Sequence, residues 1–418
     1  MSSNTESAKA ATKEAILKWK NENPTTTEAW ISRAQEVAKI LSIDAAERDE
    51  KSESPFTEVA LLKAAGLVNL LSPEKYGGKG QTWELAYKII LEVAKADSSI
   101  GHLLGIHYLW FWSAVFFGTP DQKDKWLKIF TQEKSFIGGA VNARNKDLVA
   151  TPEGDEIVFN GKKFFSTGSV ISDYLILEGS LPSGEHVFAY VPANSPGIKY
   201  LHDWNAIGQR LTESGGVVID NVRIKKEDAL GFTSSLDKVV NDVYSSFVLP
   251  TVQLVFTSVH IGVGVGALES AAEYTRENTR AWPYGGDNKE KAVDEWYIRE
   301  GYGVLAAKTY AAQALHREAA KSVSEVLHAD RKSITERRRG EIAVKVAATK
   351  IVGVETSLEV VTKIFELTGA RSGLRKYAFD RFWRNIRLHS LHDPLPYKKR
   401  EVGSFFLLDE IPTPSWYT

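Results

Sequence analysis

Cysteine is missing altogether from the 418 residues, and methionine occurs once, as Met1. The first absence excludes disulfides, thiolate nucleophiles and cysteine-ligated zinc or iron–sulfur centres. Together the two absences leave the chain, beyond its first residue, without the side chains that oxidise most readily. That suits an enzyme handling activated oxygen. Net charge is nearly absent as well, with 52 Lys and Arg against 53 Asp and Glu. Such a surface has no long-range field to draw nucleic acid or an anionic membrane, so neither is an expected partner. An anionic ligand must be held by a few local Arg or Lys side chains. The first residues lack the apolar core of a secretion signal. The longest apolar stretches, Tyr108 to Phe117 and Val255 to Leu268, contain polar breaks and fall short of the roughly 18 residues of an uninterrupted span. The expectation is a cytoplasmic protein.

What is present is a good supply of core-forming residues: 43% hydrophobic, 11% aromatic and 25% charged. That composition supports two or three domains with shared interfaces. From Thr26 to Leu127 apolar residues recur at three-to-four spacing, the period of amphipathic helices, as in Ala29, Ala34, Val37 and Ile40. Gly118-Thr119-Pro120 ends one helix and starts another, with Asp121 in the first turn, where an acid suits the helix dipole. Between Lys134 and Phe232 the pattern changes to short runs of strand character: 136–140, 157–159, 174–178, 186–191, 197–200 and 216–219. Turn signals such as Asn160-Gly161 and Pro182-Ser183-Gly184 separate them. Helical periodicity then returns and holds to an extended tail, Leu407 to Thr418. The boundaries expected are 1–133 (helical), 134–236 (β) and 237–418 (helical with tail), an α+β class. The absence of alternating strand and helix units argues against a Rossmann-type nucleotide fold.

Candidate chemistry lies in a few places. His389 and His392 stand three residues apart beside Asp393, a spacing that turns two imidazoles to one side of a helix. Asp393 could fix a tautomer; a capped helix end whose histidines satisfy backbone carbonyls explains the same residues. Arg381, Arg384 and Arg387 repeat every third residue, either as an anion site or as a face paired with acids. His107 sits in a strongly apolar helix, where catalysis and core satisfaction are equal readings. A metal held by His102 and His107 is disfavoured, because i and i+5 diverge on a helix. The run Gly161 to Ser169, with Phe165 and Thr167, and the indole of Trp204 could contact a planar ring.

Four passages resemble the acyl-CoA dehydrogenase superfamily: Gly66-Leu67 with Pro73-Glu74-Lys75-Tyr76-Gly77-Gly78; Trp204 to Arg210; Thr275-Arg276 with Thr279 to Pro283; and Phe379 to Pro394. The last is long, and within the superfamily it is similar to the dibenzothiophene monooxygenase group. The resemblance covers essentially the whole chain. It implies an N-terminal helical domain, a middle antiparallel β domain and a C-terminal four-helix-bundle domain, assembled as a homotetramer. It also implies FMN, in preference to FAD, delivered reduced by a separate NAD(P)H-dependent flavin reductase, with O2 as cosubstrate and a C4a-hydroperoxyflavin as oxidant. A hydrophobic, aromatic sulfur- or nitrogen-containing molecule is the implied substrate. By the same resemblance Phe165, Thr167 and Trp204 lie beside the flavin ring, and Arg280 and Arg371 reach its phosphate, Arg280 across a subunit boundary. His107, His389 and His392, with Asp393 in support, belong to the reaction pocket, His392 being the first choice for proton control and His107 the second. Tyr108, Trp110 and Phe111 depart from the family pattern at the substrate pocket. The alternative is a dehydrogenase or oxidase of the same scaffold, which needs a carboxylate base. One branch places that base where this chain has His389 to Asp393 and no Glu between Glu366 and Glu401. Other branches place it in the long C-terminal helical segment, so that alternative stays open.

Overall fold

The computed structural model describes residues 2–20, 22–142, 147–286 and 288–415. Seven helices come first: α1 (Ser2–Trp19), α2 (Thr27–Ser42), α3 (Ala45–Lys51), α4 (Phe56–Ala64), α5 (Trp83–Ala96), α6 (Ser98–Phe117) and α7 (Pro120–Glu133). The start of α7 shows how local sequence sets these ends. The Thr119 hydroxyl accepts from the Gln122 N–H, the Gln122 side chain accepts in return from the Thr119 N–H, and Pro120 fills a position whose N–H would be orphaned anyway. Gln122 is buried and also donates to the carbonyls of Glu227 and Ala229, stitching α7 to the sheet region.

Seven strands follow: β1 (Ile137–Ala140), β2 (Leu148–Glu153), β3 (Glu156–Lys163), β4 (Tyr174–Ser180), β5 (His186–Pro192), β6 (Ile198–Tyr200) and β7 (Val217–Lys225). They form one sheet in the order β1-β4-β2-β3-β7-β6, with β5 on β4. The sheet is mixed, not antiparallel as expected: β1 and β2 both pair with β4 in parallel, while the other pairs are antiparallel. The β2–β3 hairpin lies between β1 and β4 in the chain, and this crossover returns β4 in the direction of β1. Alternation of side chains along a strand carries no information about that direction.

The remaining helices are α8 (Val248–Asn278), α9 (Trp296–Leu327), α10 (Glu336–Thr368), α11 (Asp380–His389) and α12 (Leu395–Leu408). α8 and α10 pack along each other with α9 beside them, α12 lies on α10, and α5 reaches over from the N-terminal region to pack on α8 and α9. One continuous apolar core therefore joins the two helical regions, and the inner face of the sheet has its own cluster. Gly369, at φ 81°, terminates α10.

α6 and the segment Tyr244–Asn278 are long and apolar enough to cross a membrane by length and composition, unlike the shorter runs expected, and 83% of each apolar window is buried inside the fold. Polar side chains that look like breaks in sequence are satisfied within helices: Ser113 donates to the Leu109 carbonyl and Ser258 to that of Leu254. The tail turns away at Asp409, which Arg337 holds, and Ile411 packs on Gly340 of α10. Residues 416–418 lie outside the described residues.

Candidate active site

A cavity of about 690 Å³ opens where α6, the sheet loops, α8 and α11 converge. Ile106, Leu109, Phe188, Val252 and Leu391 supply apolar wall. Among the described residues, its lining contains no Asp, Glu, Lys, Arg or Tyr, and its acid–base groups are His102, His389 and His392. Trp110 also lines it, lying flat on β1 because residue 139 is glycine: a Cβ there would stand 2.4 Å from the indole nitrogen. Tyr108 and Phe111 face the core instead, Tyr108 donating to the Leu67 carbonyl.

One wall presents aromatic faces and hydroxyls. Phe165 is 66% exposed at the cavity and holds its backbone at φ 57°. A non-glycine aromatic residue in the left-handed region is uncommon and costs on the order of 1 kcal/mol or more, so the placement of its ring is being enforced. Its ring meets Trp204 edge to face, centroids 6.1 Å apart, and the Trp204 indole is fixed by donating to the Gln209 carbonyl at 2.8 Å. Below them runs a line of hydroxyls: Thr167 Oγ1 to Ser214 Oγ at 2.9 Å, Ser214 Oγ to Thr212 Oγ1 at 2.7 Å, and Thr212 donating to the Gln209 carbonyl. Gln209 is the buried centre of this wall. Its amide donates to Ser98, its carbonyl oxygen faces His102 Nδ1 at 3.3 Å, and its N–H donates to Asn385 Oδ1 of α11. Close passage of the two segments depends on Gly208, where a Cβ would fall 2.1 Å from the Arg384 carbonyl oxygen.

The opposite wall is imidazole. His389 stands 4.2 Å from His102 and 4.8 Å from the buried His260, centroid to centroid, and Phe256 packs against His389 and His392. Burial above all, with the neighbouring His102 and His260, pushes the His389 imidazole well below its ordinary range. Burial likewise takes His102 to about 3, against an opposing hydrogen bond with Gln209. His392 is the accessible member. Its Nδ1 lies 3.2 Å from Asp393 Oδ1. Burial would raise the Asp393 carboxyl, but the His392 hydrogen bond and the Lys350 charge outweigh it and hold the group well below the usual carboxylate range. An ionised Asp393 accepts, so Nδ1 carries the hydrogen.

The structure separates the residues singled out in sequence. Phe165, Thr167, Trp204, His389 and His392 converge on the cavity, with Asp393 directly behind His392. His107 does not join them. It is fully buried, donates from Nε2 to the Val68 carbonyl at 2.9 Å, accepts the Ile137 N–H at Nδ1, and stacks on Phe136. Both nitrogens are committed, so His107 is a core residue and His102, one helical face away, is the cavity histidine of α6. Arg280 and Arg371 are exposed and line no part of the cavity. Two arginines of the run on α11 are structural: Arg384 bonds Asp49 and Asp380, and Arg381 lies over Phe382. His102, Gln209, Thr212 and Ser214 were not picked out as site residues. Gln209 stood in a recognised passage, but nothing local marks it as the hinge of three elements.

A buried pair supports the cavity rim from the sheet. Lys163, 1% exposed, donates to Glu178, 0% exposed, at 2.6 Å and to the carbonyl of the cavity residue Asn142; the Asn142 N–H donates back to Glu178. Glu178 also bonds His186 Nδ1, so removing Lys163 leaves the carboxylate its hydrogen bonds but takes away its buried cation. Lys163→Met is therefore expected to destabilise the protein by about 3–5 kcal/mol, seen as a lower guanidinium midpoint at unchanged slope. An unchanged midpoint would show the pair to be dispensable.

Comparison with known proteins agrees with this geometry. Residues 27–134 match the N-terminal domain and residues 254–395 the C-terminal domain of acyl-CoA dehydrogenases. The dibenzothiophene monooxygenase of Mycolicibacterium goodii is 36% identical over 92% of this chain and 95% of its own. A probable FMNH2-dependent monooxygenase, SfnC of Pseudomonas putida, is 31% identical over 92% and 96%. The crystal structure of TdsC from Paenibacillus sp. A11-2 with FMN and indole superposes with a TM-score of 0.88 at 35% identity, covering 93% of this chain and 99% of that one. With an imidazole-lined cavity in place of a carboxylate base, on this scaffold and at this level of identity, the chain belongs to the dibenzothiophene monooxygenase family, the FMNH2-dependent monooxygenases of the acyl-CoA dehydrogenase superfamily.

Proposed function

We propose that this enzyme oxygenates a neutral, planar, aromatic sulfur- or nitrogen-containing molecule, and that the cavity between Phe165 and His392 is where it does so. One observation carries this reading: an apolar cavity whose lining acid–base groups, among the described residues, are all imidazoles. A dehydrogenase must remove a proton alpha to a thioester carbonyl, and among the described residues no carboxylate lines this cavity to take it. Reduced FMN, when bound, supplies oxygen activation; the protein supplies binding, dryness and proton placement.

Phe165, Trp204 and the Thr167–Ser214–Thr212 hydroxyls suit an isoalloxazine, with aromatic faces for the ring and hydroxyls for its heteroatoms. The apolar wall excludes water, which protects a reactive oxidant from hydrolysis. His392, with Nδ1 held by Asp393, lines the cavity as the imidazole that handles a proton during oxygen transfer. Among the described residues no Lys or Arg lines the cavity, and the FMN phosphate needs cations. Exposed Arg280 and Arg371 are the proposed source, Arg280 from a neighbouring copy in a homotetramer. A diffusing NAD(P)H-dependent flavin reductase in the cytoplasm would supply the reduced flavin.

The test is a pair of assays with a panel of aromatic sulfides and indoles. With reductase, NADH, FMN and O2, oxygenated product is expected. Without reductase, substrate added anaerobically to the FMN-loaded enzyme is expected to leave the flavin oxidised. Bleaching by an acyl thioester alone would replace this reading with the dehydrogenase one.

A further inference from the structure

Directly behind the cavity wall, Lys350 and Asp393 form an ion pair sealed from solvent, their side chains 2% and 4% exposed. Lys350 stands in the middle of α10, an element that contributes nothing to the cavity lining. Its Nζ donates to Asp393 Oδ1 and to Gln253 Oε1 of α8, both at 2.5 Å. The same Asp393 Oδ1 accepts from His392 Nδ1, while Oδ2 has no protein partner among the described residues. One oxygen thus joins a buried ammonium to the imidazole at the cavity.

Packing alone does not account for this pair. Two charges taken out of water carry a desolvation penalty that their attraction barely repays, and apolar residues of similar volume commonly stabilise such a position as well or better. We propose that Lys350 is a positioning residue for oxygen transfer: it keeps Asp393 a fixed acceptor for the Nδ1 hydrogen of His392, and so fixes the tautomer of an imidazole that lines the cavity. The proposal rests on the reading of the cavity given above and deepens it.

Burial pulls in opposite directions on the two partners. It would raise the Asp393 carboxyl, and the His392 hydrogen bond and Lys350 charge overcome this; it lowers the Lys350 ammonium, and Asp393 opposes that. Were Asp393 protonated, its hydroxyl would donate to Nδ1, the ring hydrogen would move to Nε2, and the cavity imidazole would hold the other tautomer. Among the described residues, the groups packed around His392 do not substitute for the ammonium. His102 of α6 and His260 of α8 are kept neutral by burial, His389 likewise, and Phe256 carries no charge. On α12, Lys398 and Glu401 also face Lys350, but they pair with each other at 3.0 Å and their charges offset.

The experiment is a ring-nitrogen spectrum of histidine-15N-labelled, cofactor-free protein at pH 7, with His392 assigned by difference from His392→Gln. The unaltered protein is expected to show His392 with hydrogen on Nδ1. Lys350→Met is expected to lower the ratio of Nδ1–H to Nε2–H by about threefold or more, as an unpaired buried carboxyl takes up a proton. Lys350→Arg should keep the original form. Lys350→Gln, which retains polar contacts without charge, repeats the test should the Met variant not fold. Product formed per O2 consumed is expected to fall in the same order. A folded Lys350→Met or Lys350→Gln protein with Nδ1–H intact overturns the proposal, as does a switched ring with undiminished product yield. Because the spectrum needs neither flavin nor substrate, its failure is separable from a failure of the oxygenase reading.

Discussion

His392→Ala will consume oxygen and release it as hydrogen peroxide, with product formed per O2 down by about 10²-fold, the scale of a lost general acid–base group. FMN binding should stay near that of the unaltered enzyme, because the ring wall of Phe165, Trp204 and Thr167 is built from other elements. The reason for so large an effect is that His392 is the one cavity imidazole with a fixed tautomer and open access: His389 and His102 are 6% and 7% exposed, whereas the His392 side chain is 44% exposed and tethered at Nδ1. His107→Ala gives the contrast. With both nitrogens bonded to backbone, its loss should lower stability and leave the product-to-peroxide ratio of the surviving enzyme unchanged. If His107→Ala uncoupled the reaction and His392→Ala did not, the roles given to the two histidines would be reversed.

The protein should lose stability steeply as pH falls from about 6.5 to 4. In the unfolded chain histidine titrates near 6.5, whereas burial above all moves His102 and His260 to about 3 and His107 and His316 to about 4. Between those values the unfolded state binds more protons than the folded one, so acid favours unfolding. The stability these neutral rings contribute is whole above the unfolded value and drains as pH drops through the window. Each ring contributes up to about 1.4 kcal/mol per pH unit, which makes the sum large against an ordinary net stability of about 5–15 kcal/mol. Guanidinium midpoints at pH 7.5, 6 and 5 check this. A flat series would mean that the imidazoles are reached by protons without unfolding.

The order helices, sheet, helices was legible from periodicity, and the start of α7 from Thr119-Pro120-Asp121, because these features are local. β2 was passed over: Pro152 reads as a turn signal, yet it closes a strand opposite Ile157, where its missing N–H is tolerated. The direction of β1 was illegible because parallel and antiparallel strands share one alternation of side chains. At the site, residues in continuous passages, such as His389, His392 and Asp393, could be found. Lys350, Gln253 and Gln209 could not, since each gains its meaning from partners far along the chain: Gln253 and Lys350 are 97 residues apart, Lys350 and Asp393 43. That His102 lines the cavity and His107 does not was illegible for the same reason. Two histidines on one apolar helix look alike until the Val68 carbonyl and the Ile137 amide claim one of them.

The backbone at Phe165 has a consequence for anyone breeding sturdier variants of this enzyme. A glycine at that position would sit in its left-handed geometry without steric strain, its greater unfolded-state entropy offsetting part of the gain, so selection for heat resistance alone would reward discarding the ring. Thermally improved libraries should accumulate glycine at residue 165 early, and the survivors would be robust proteins without the aromatic face proposed for the flavin.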